Sequence, residues 1–112
     1  MSGKIKVIIK RPDEKVGHMT NISASLKNLQ KTVDGPIEVV RCDGLMIICN
    51  EDGLLIGLEP NFKMSFDRGR FHHFDIICGT VIVAGENGSE FGDIPIGLAD
   101  WRYYLKDWGN EV

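Results

Sequence analysis

Residues 36–61, PIEVVRCDGLMIICNEDGLLIGLEPN, decide the fold of this chain. Asp43-Gly44 separates IEVVRC from LMIICN, and Asp52-Gly53 separates ICNE from LLIGL. Asp-Gly between apolar runs is a hairpin signal, because both central residues of a type I′ turn need positive φ. Two such turns in succession predict three strands in a β-meander. The middle run, LMIICN, is apolar nearly throughout and predicts a central strand covered on both faces.

Working outward, Pro36 and Gly35 close a preceding helix. Ile22, Leu26, Leu29 and Val33 recur at helical spacing, with Thr20 or Asn21 as the expected N-cap. Before it, KIKVIIK (4–10) reads as a first strand ended by Arg11-Pro12, and DEKVGHM is either a loop or the far arm of a hairpin. That strand is placed parallel to a meander strand, through a right-handed crossover. On the other side, residues 61–74 read as a long loop and HFDIICGTVIVAG as a fifth strand. ENGSEFGDIPIG reads as a second loop. A final helix carries Leu98, Trp101, Leu105 and Trp108 on one face, between Gly97 and Gly109. The expected class is α+β, a mainly antiparallel five-stranded sheet in the order β-α-β-β-β-β-α with helices packed on it.

The chain has 112 residues and a net charge of −3, so one domain covering 1–112 is expected, and binding of duplex nucleic acid by bulk charge is not. No apolar run reaches the roughly 18–20 residues that span a bilayer. MSGKIKVIIKRPDEK reads as a strand rather than a signal peptide. Cys42, Cys49 and Cys78 lie in or beside apolar runs, which favours buried reduced thiols and a cytoplasmic location over a disulfide framework.

The least ordinary composition is in residues 61–74, where Lys63, Arg68 and Arg70 face a single Asp67 and alternate with Phe62, Phe66, Phe71, Phe74 and the His72-His73 pair. Cations among flat rings suit a phosphate and a base. The same pattern also describes phenylalanines anchoring a loop whose arginines are solvated. Asn50 and Asn61 either line a small polar pocket, where an amide can both donate and accept, or satisfy the turn and the loop entry beside them. On the last helix, Arg102, Tyr103 and Tyr104 with Trp101 resemble an interface mixture, and equally suit edge packing. Adjacent histidines on a strand point to opposite faces, and no metal-ligand spacing is present, so no metal and no cofactor are expected. Cysteines inside apolar runs and carboxylates at turns give no catalytic set, so an enzyme is not expected.

Leu26-x-x-Leu29-Gln30, Val33-x-Gly35-x-Ile37-Glu38-Val39-Val40, Cys49-Asn50-Glu51-x-Gly53-x-x-x-Gly57-Leu58-x-Pro60-Asn61 and Asp75-Ile76-Ile77-x-Gly79-Thr80 together resemble the domain-of-unknown-function family numbered 3846. The likeness covers roughly the first 85 residues and brings no catalytic residues with it. It implies an accessory protein of a phage or mobile element, working in the bacterial host cytoplasm against host defence. Two expectations follow. One is a non-enzymatic protein, homo-oligomeric, that sequesters a nucleotide-type signalling molecule through Arg68, Arg70, Lys63, Phe66, Phe71, His72 and His73. The other is an inhibitor that binds a host defence protein through the aromatic last helix.

Overall fold

The structure is a computed structural model that describes residues 3–68 and 71–112, with side chains given outside 66–74. Its elements are β1 (Lys4–Lys10), β2 (His18–Ser23), α1 (Leu26–Val33), β3 (Ile37–Cys42), β4 (Leu45–Asn50), β5 (Pro60–Arg68), β6 (Phe71–Cys78), β7 (Val81–Asn87), β8 (Glu90–Gly92) and α2 (Leu98–Asp107). The class is α+β, as expected. Every strand pair is antiparallel. One sheet runs β2-β1-β7-β4-β3 with β8 beside β7, and β5-β6 form a separate hairpin.

The continuous apolar runs are explained by two cores, one on each face of the main sheet. Val7, Ile9, Met46, Ile48, Ile82 and Ala84 point to one face and pack with Leu29 and Val33 of α1. Their strand neighbours Ile8, Leu45, Ile47, Cys49, Val81 and Val83 point to the other. There they meet Phe62 and Met64 of β5, Ile77 of β6, and Trp101, Leu105 and Trp108. A strand covered on both faces has no position left for a polar side chain, and the period-2 signal disappears.

Several expectations are corrected in detail. The described strands number eight, not five. The first Asp-Gly is a hairpin turn, with Asp43 at φ 50 and Gly44 at φ 78. The second is not a hairpin. Asn50 Oδ1 accepts the Asp52 amide at 2.8 Å, and Ile56 N–H reaches back to Asp52 at 3.0 Å. That side-chain hook starts a compact coil over 51–57, so LLIGL is not a strand. β4 pairs instead with β3 and β7.

Residues 61–68 and 71–74, expected as a loop, belong to the paired strands β5 and β6. Phe62 and Met64 are buried while Lys63 between them is exposed, the strand period that counting charges conceals. Segment 18–23 is the far arm of a hairpin with β1, and it absorbs Thr20, Asn21 and Ile22. The helix therefore starts later, with Ser25 Oγ accepting the Asn28 amide at 3.2 Å. β1 lies antiparallel to β2 and β7 rather than parallel to a meander strand, and no described strand pair is joined by a parallel crossover. Where β8 ends, Asp93 and Ile94 continue along β1: Lys6 N–H donates to Asp93 Oδ1 at 2.8 Å and Ile94 N–H to the Lys6 carbonyl at 2.8 Å.

Candidate functional site

Lys10 follows Ile8 by two residues and so points to the α2 side of the sheet. It is 3% exposed. An ammonium taken out of water costs several kcal/mol unless its protons find acceptors. All three do. Lys10 Nζ donates to Asn61 Oδ1 at 2.6 Å, to the Glu14 carbonyl at 2.7 Å and, more weakly, to the Asn61 carbonyl at 3.4 Å. It also sits 5.7 Å from the Phe62 ring centroid. Burial pushes Lys10 below the ordinary lysine range, and the charges of Glu14 and Asp13 partly offset that.

Asn61 can do this because β5 slips register between Pro60 and Phe62, leaving it unpaired in a bulge. Its Nδ2 donates to the Lys10 carbonyl and to the Gly79 carbonyl, both at 2.8 Å. Glu14 in turn accepts the Arg11 amide at 3.0 Å and pairs with His18 Nδ1 at 2.8 Å. Burial raises the Glu14 carboxyl, but the His18 and Arg11 hydrogen bonds and their charges outweigh it and hold the group below its ordinary value. A cavity of about 250 Å³ lies beside this node. With every Lys10 proton already accepted, the node is a joint between β1, the 11–17 segment and β5. It presents no spare donor to a ligand.

Asn50 is a second joint. Its Nδ2 donates to the Val33 and Asp34 carbonyls at 3.1 Å each, closing the end of α1. Asn50 and Asn61 thus serve separate contacts and do not line one pocket. Lys63 is exposed, and its backbone N–H and C=O are both held by the Asn110 amide, at 3.0 and 2.9 Å. The side chains of Arg68, Arg70, Phe66, Phe71, His72 and His73 lie outside the described residues.

On α2, Trp101 is fully buried and donates Nε1–H to the Val16 carbonyl at 2.9 Å. Tyr104 packs on Trp108 and donates its hydroxyl to Asp43 at 3.1 Å. Arg102 reaches the Val112 carbonyl at 3.3 Å. Tyr103 stands 70% exposed. Burial pushes the Cys49 thiol up to about 11, reinforced by Glu38 and Cys78, which makes it unfit as a nucleophile. Among the described residues no group of three histidines, cysteines or carboxylates is placed to hold a metal. No described helix is long and apolar enough to cross a membrane.

The surface that stands out was not singled out from the sequence. Leu54, Leu55 and Ile56 in the 51–57 coil are 71%, 87% and 60% exposed, and Ile76 on β6 is 57% exposed. Leu54, Leu55 and Ile76 border a groove of about 290 Å³ whose floor includes Val40 of β3. Its charged residues, Glu38, Glu51 and Asp75, are all acidic. The signal that would have found it is the failed strand: apolar residues assigned to a strand that does not form have no core to enter.

The molecule is an antiparallel α+β domain with one helix on one face of its sheet and a hairpin plus a helix on the other. Over residues 5–108 it matches the model of the family described as Domain of unknown function (DUF3846), and the chain belongs to that family. No curated protein and no solved structure matches it.

Proposed function

We propose that this is a non-catalytic binding protein that acts by docking onto another protein through the groove between β3, β6 and the 51–57 coil. The observation that carries the reading is the exposure of Leu54, Leu55 and Ile76 around one groove, on a domain whose other large aliphatics are mostly buried. A contiguous aliphatic patch with a polar rim is how protein contact surfaces differ from ordinary surface. In an accessory protein of a phage or mobile element, such docking would occupy a host defence protein.

The test is photocrosslinking. Benzoylphenylalanine in place of Leu55, irradiated in cells that make the protein, is expected to give one discrete protein adduct. Adding Ile76→Asp should remove it. No adduct, or a smear that ignores Ile76→Asp, would contradict the reading.

A second reading is a nucleotide-type ligand held by the segment 61–74 through Lys63, Arg68 and Arg70. It is favoured by the local surplus of cations and rings in 61–74 on an otherwise acidic chain.

A further inference from the structure

We infer that the occupant of the groove is an extended, basic and apolar segment of the partner, which adds to the free edge of β6 as a third strand of the β5-β6 sheet. This rests on the docking reading and names its mode.

The hydrogen-bond pattern gives the edge. Lys63 sends both its N–H and its C=O outward to Asn110, so it occupies a non-hydrogen-bonded position of the β5-β6 ladder. Lys63 is paired with Ile76. In an antiparallel pair the two opposite residues share that status, so the Ile76 N–H and C=O point away from β5. The same alternation turns the backbone of Phe74, paired with Ser65, to the same side. On the opposite edge of the hairpin Asn110 already occupies the equivalent groups. On the β6 edge no described residue does. An exposed pair of backbone groups beside exposed aliphatic side chains is the arrangement that strand addition uses.

The packing gives the space. The layer over this face of the main sheet consists of α2, β5 and β6, and it stops short of β3. Val40 is only half-buried and Glu38 is exposed. A strand added about 4.8 Å beyond β6 would lie over these residues and extend the second layer across β3. Gly53 sets one end of the slot, since a side chain there would meet the Cys78 carbonyl at 2.9 Å. Leu54 and Leu55 project from the same coil and wall that end.

The charge gives the chemistry. Glu38, Glu51 and Asp75 line the slot and no described cation does. A strand alternating apolar and basic residues satisfies both the aliphatic wall and the carboxylates. Two copies of this chain meeting at the slot would instead oppose like charges, and anionic lipid would be repelled.

The probe is a fluorescein-labelled twelve-residue peptide alternating valine and lysine, titrated by anisotropy with amide hydrogen exchange followed at Ile76. The expected result is saturable binding, slowed exchange of the Ile76 amide, and at least a tenfold loss of affinity in Glu38→Lys with Asp75→Lys. Both of those residues are exposed, so the variant keeps the fold. A valine-glutamate peptide should not bind, and N-methylation of alternate valines should abolish binding of the first peptide. Equal binding of the methylated peptide, or unchanged Ile76 exchange, overturns strand addition even where the position-55 crosslink persists. Absence of that crosslink from the folded protein with its native charges overturns the docking reading itself. Dimerisation abolished by Leu55→Asp, or cosedimentation with vesicles abolished by it, would assign the patch to self-association or to a membrane and overturn the proposal.

Discussion

Asn61→Ala should be among the most destabilising single truncations of a polar side chain in this protein. The mutation removes the 2.6 Å acceptor of the Lys10 ammonium and the donors to the Lys10 and Gly79 carbonyls. Lys10 keeps the Glu14 carbonyl at 2.7 Å and a weak 3.4 Å contact to the carbonyl of residue 61. A hydrogen bond to a charged group contributes about 1.5–3 kcal/mol, and a buried carbonyl left without its donor costs about 1–3 kcal/mol. Water can enter the adjoining cavity and recover part of this, so a net loss of about 3–4 kcal/mol is expected. In a domain of this size that is a fall in Tm of very roughly 12–20 °C. Urea unfolding gives the number directly. Lys10→Met removes the charge that needs Asn61, so the double variant Lys10→Met/Asn61→Ala should be destabilised by at least ~1 kcal/mol less than the two single losses added. An Asn61→Ala loss below ~1 kcal/mol, or strict additivity in the double variant, would refute the account of this node.

Other outcomes follow from named contacts. Glu14 is held below its ordinary carboxyl value of 4.5 when folded, so its contribution to stability is complete above that pH and disappears as pH falls through the depressed folded value. Urea midpoints of wild type and Glu14→Gln, measured from pH 6 down to the acid limit of folding, should therefore converge only on the acid side. Gly85→Ala drives a Cβ into the Asp93 carbonyl oxygen, so it should push the 93–94 segment off β1. About 1–3 kcal/mol should be lost, together with exchange protection of the Ile94 amide. Cys49, with its thiol raised to about 11, should resist iodoacetamide in the native protein and react only on unfolding. Under the nucleotide reading, cyclic nucleotides or cyclic ADP-ribose isomers should raise Tm, and Arg68→Ala with Arg70→Ala should cancel the rise. No shift with any of them removes that reading.

The parts of the fold legible in the sequence were those where a local rule and the tertiary environment agree. Asp43-Gly44 turns because both residues adopt positive φ, and Leu29 with Val33 marks the α1 face because their spacing matches the sheet beneath them. The Trp101, Leu105 and Trp108 stripe was legible for the same reason. Asp52-Gly53 misled because the deciding group was a side chain two residues upstream, the Asn50 amide, which a turn dipeptide does not reveal. Residues 61–74 misled because their charges drew attention away from the alternation of Phe62, Lys63 and Met64. Lys10 was legible in principle. Its parity with Ile8 put it on a core face, and a lysine there demands acceptors that only long-range structure supplies. The groove was not legible, since Leu54 and Leu55 become conspicuous only once their strand is known not to form.

The most direct test of the central claim is the crosslink from position 55, run in parallel with wild-type charges and with Glu38→Lys/Asp75→Lys. The docking account predicts one protein adduct whose crosslinked peptide carries lysine or arginine among apolar residues, and its loss when the charges are reversed. No adduct from a folded protein would contradict docking itself, and an adduct that survives charge reversal undiminished would contradict the basic strand as its occupant.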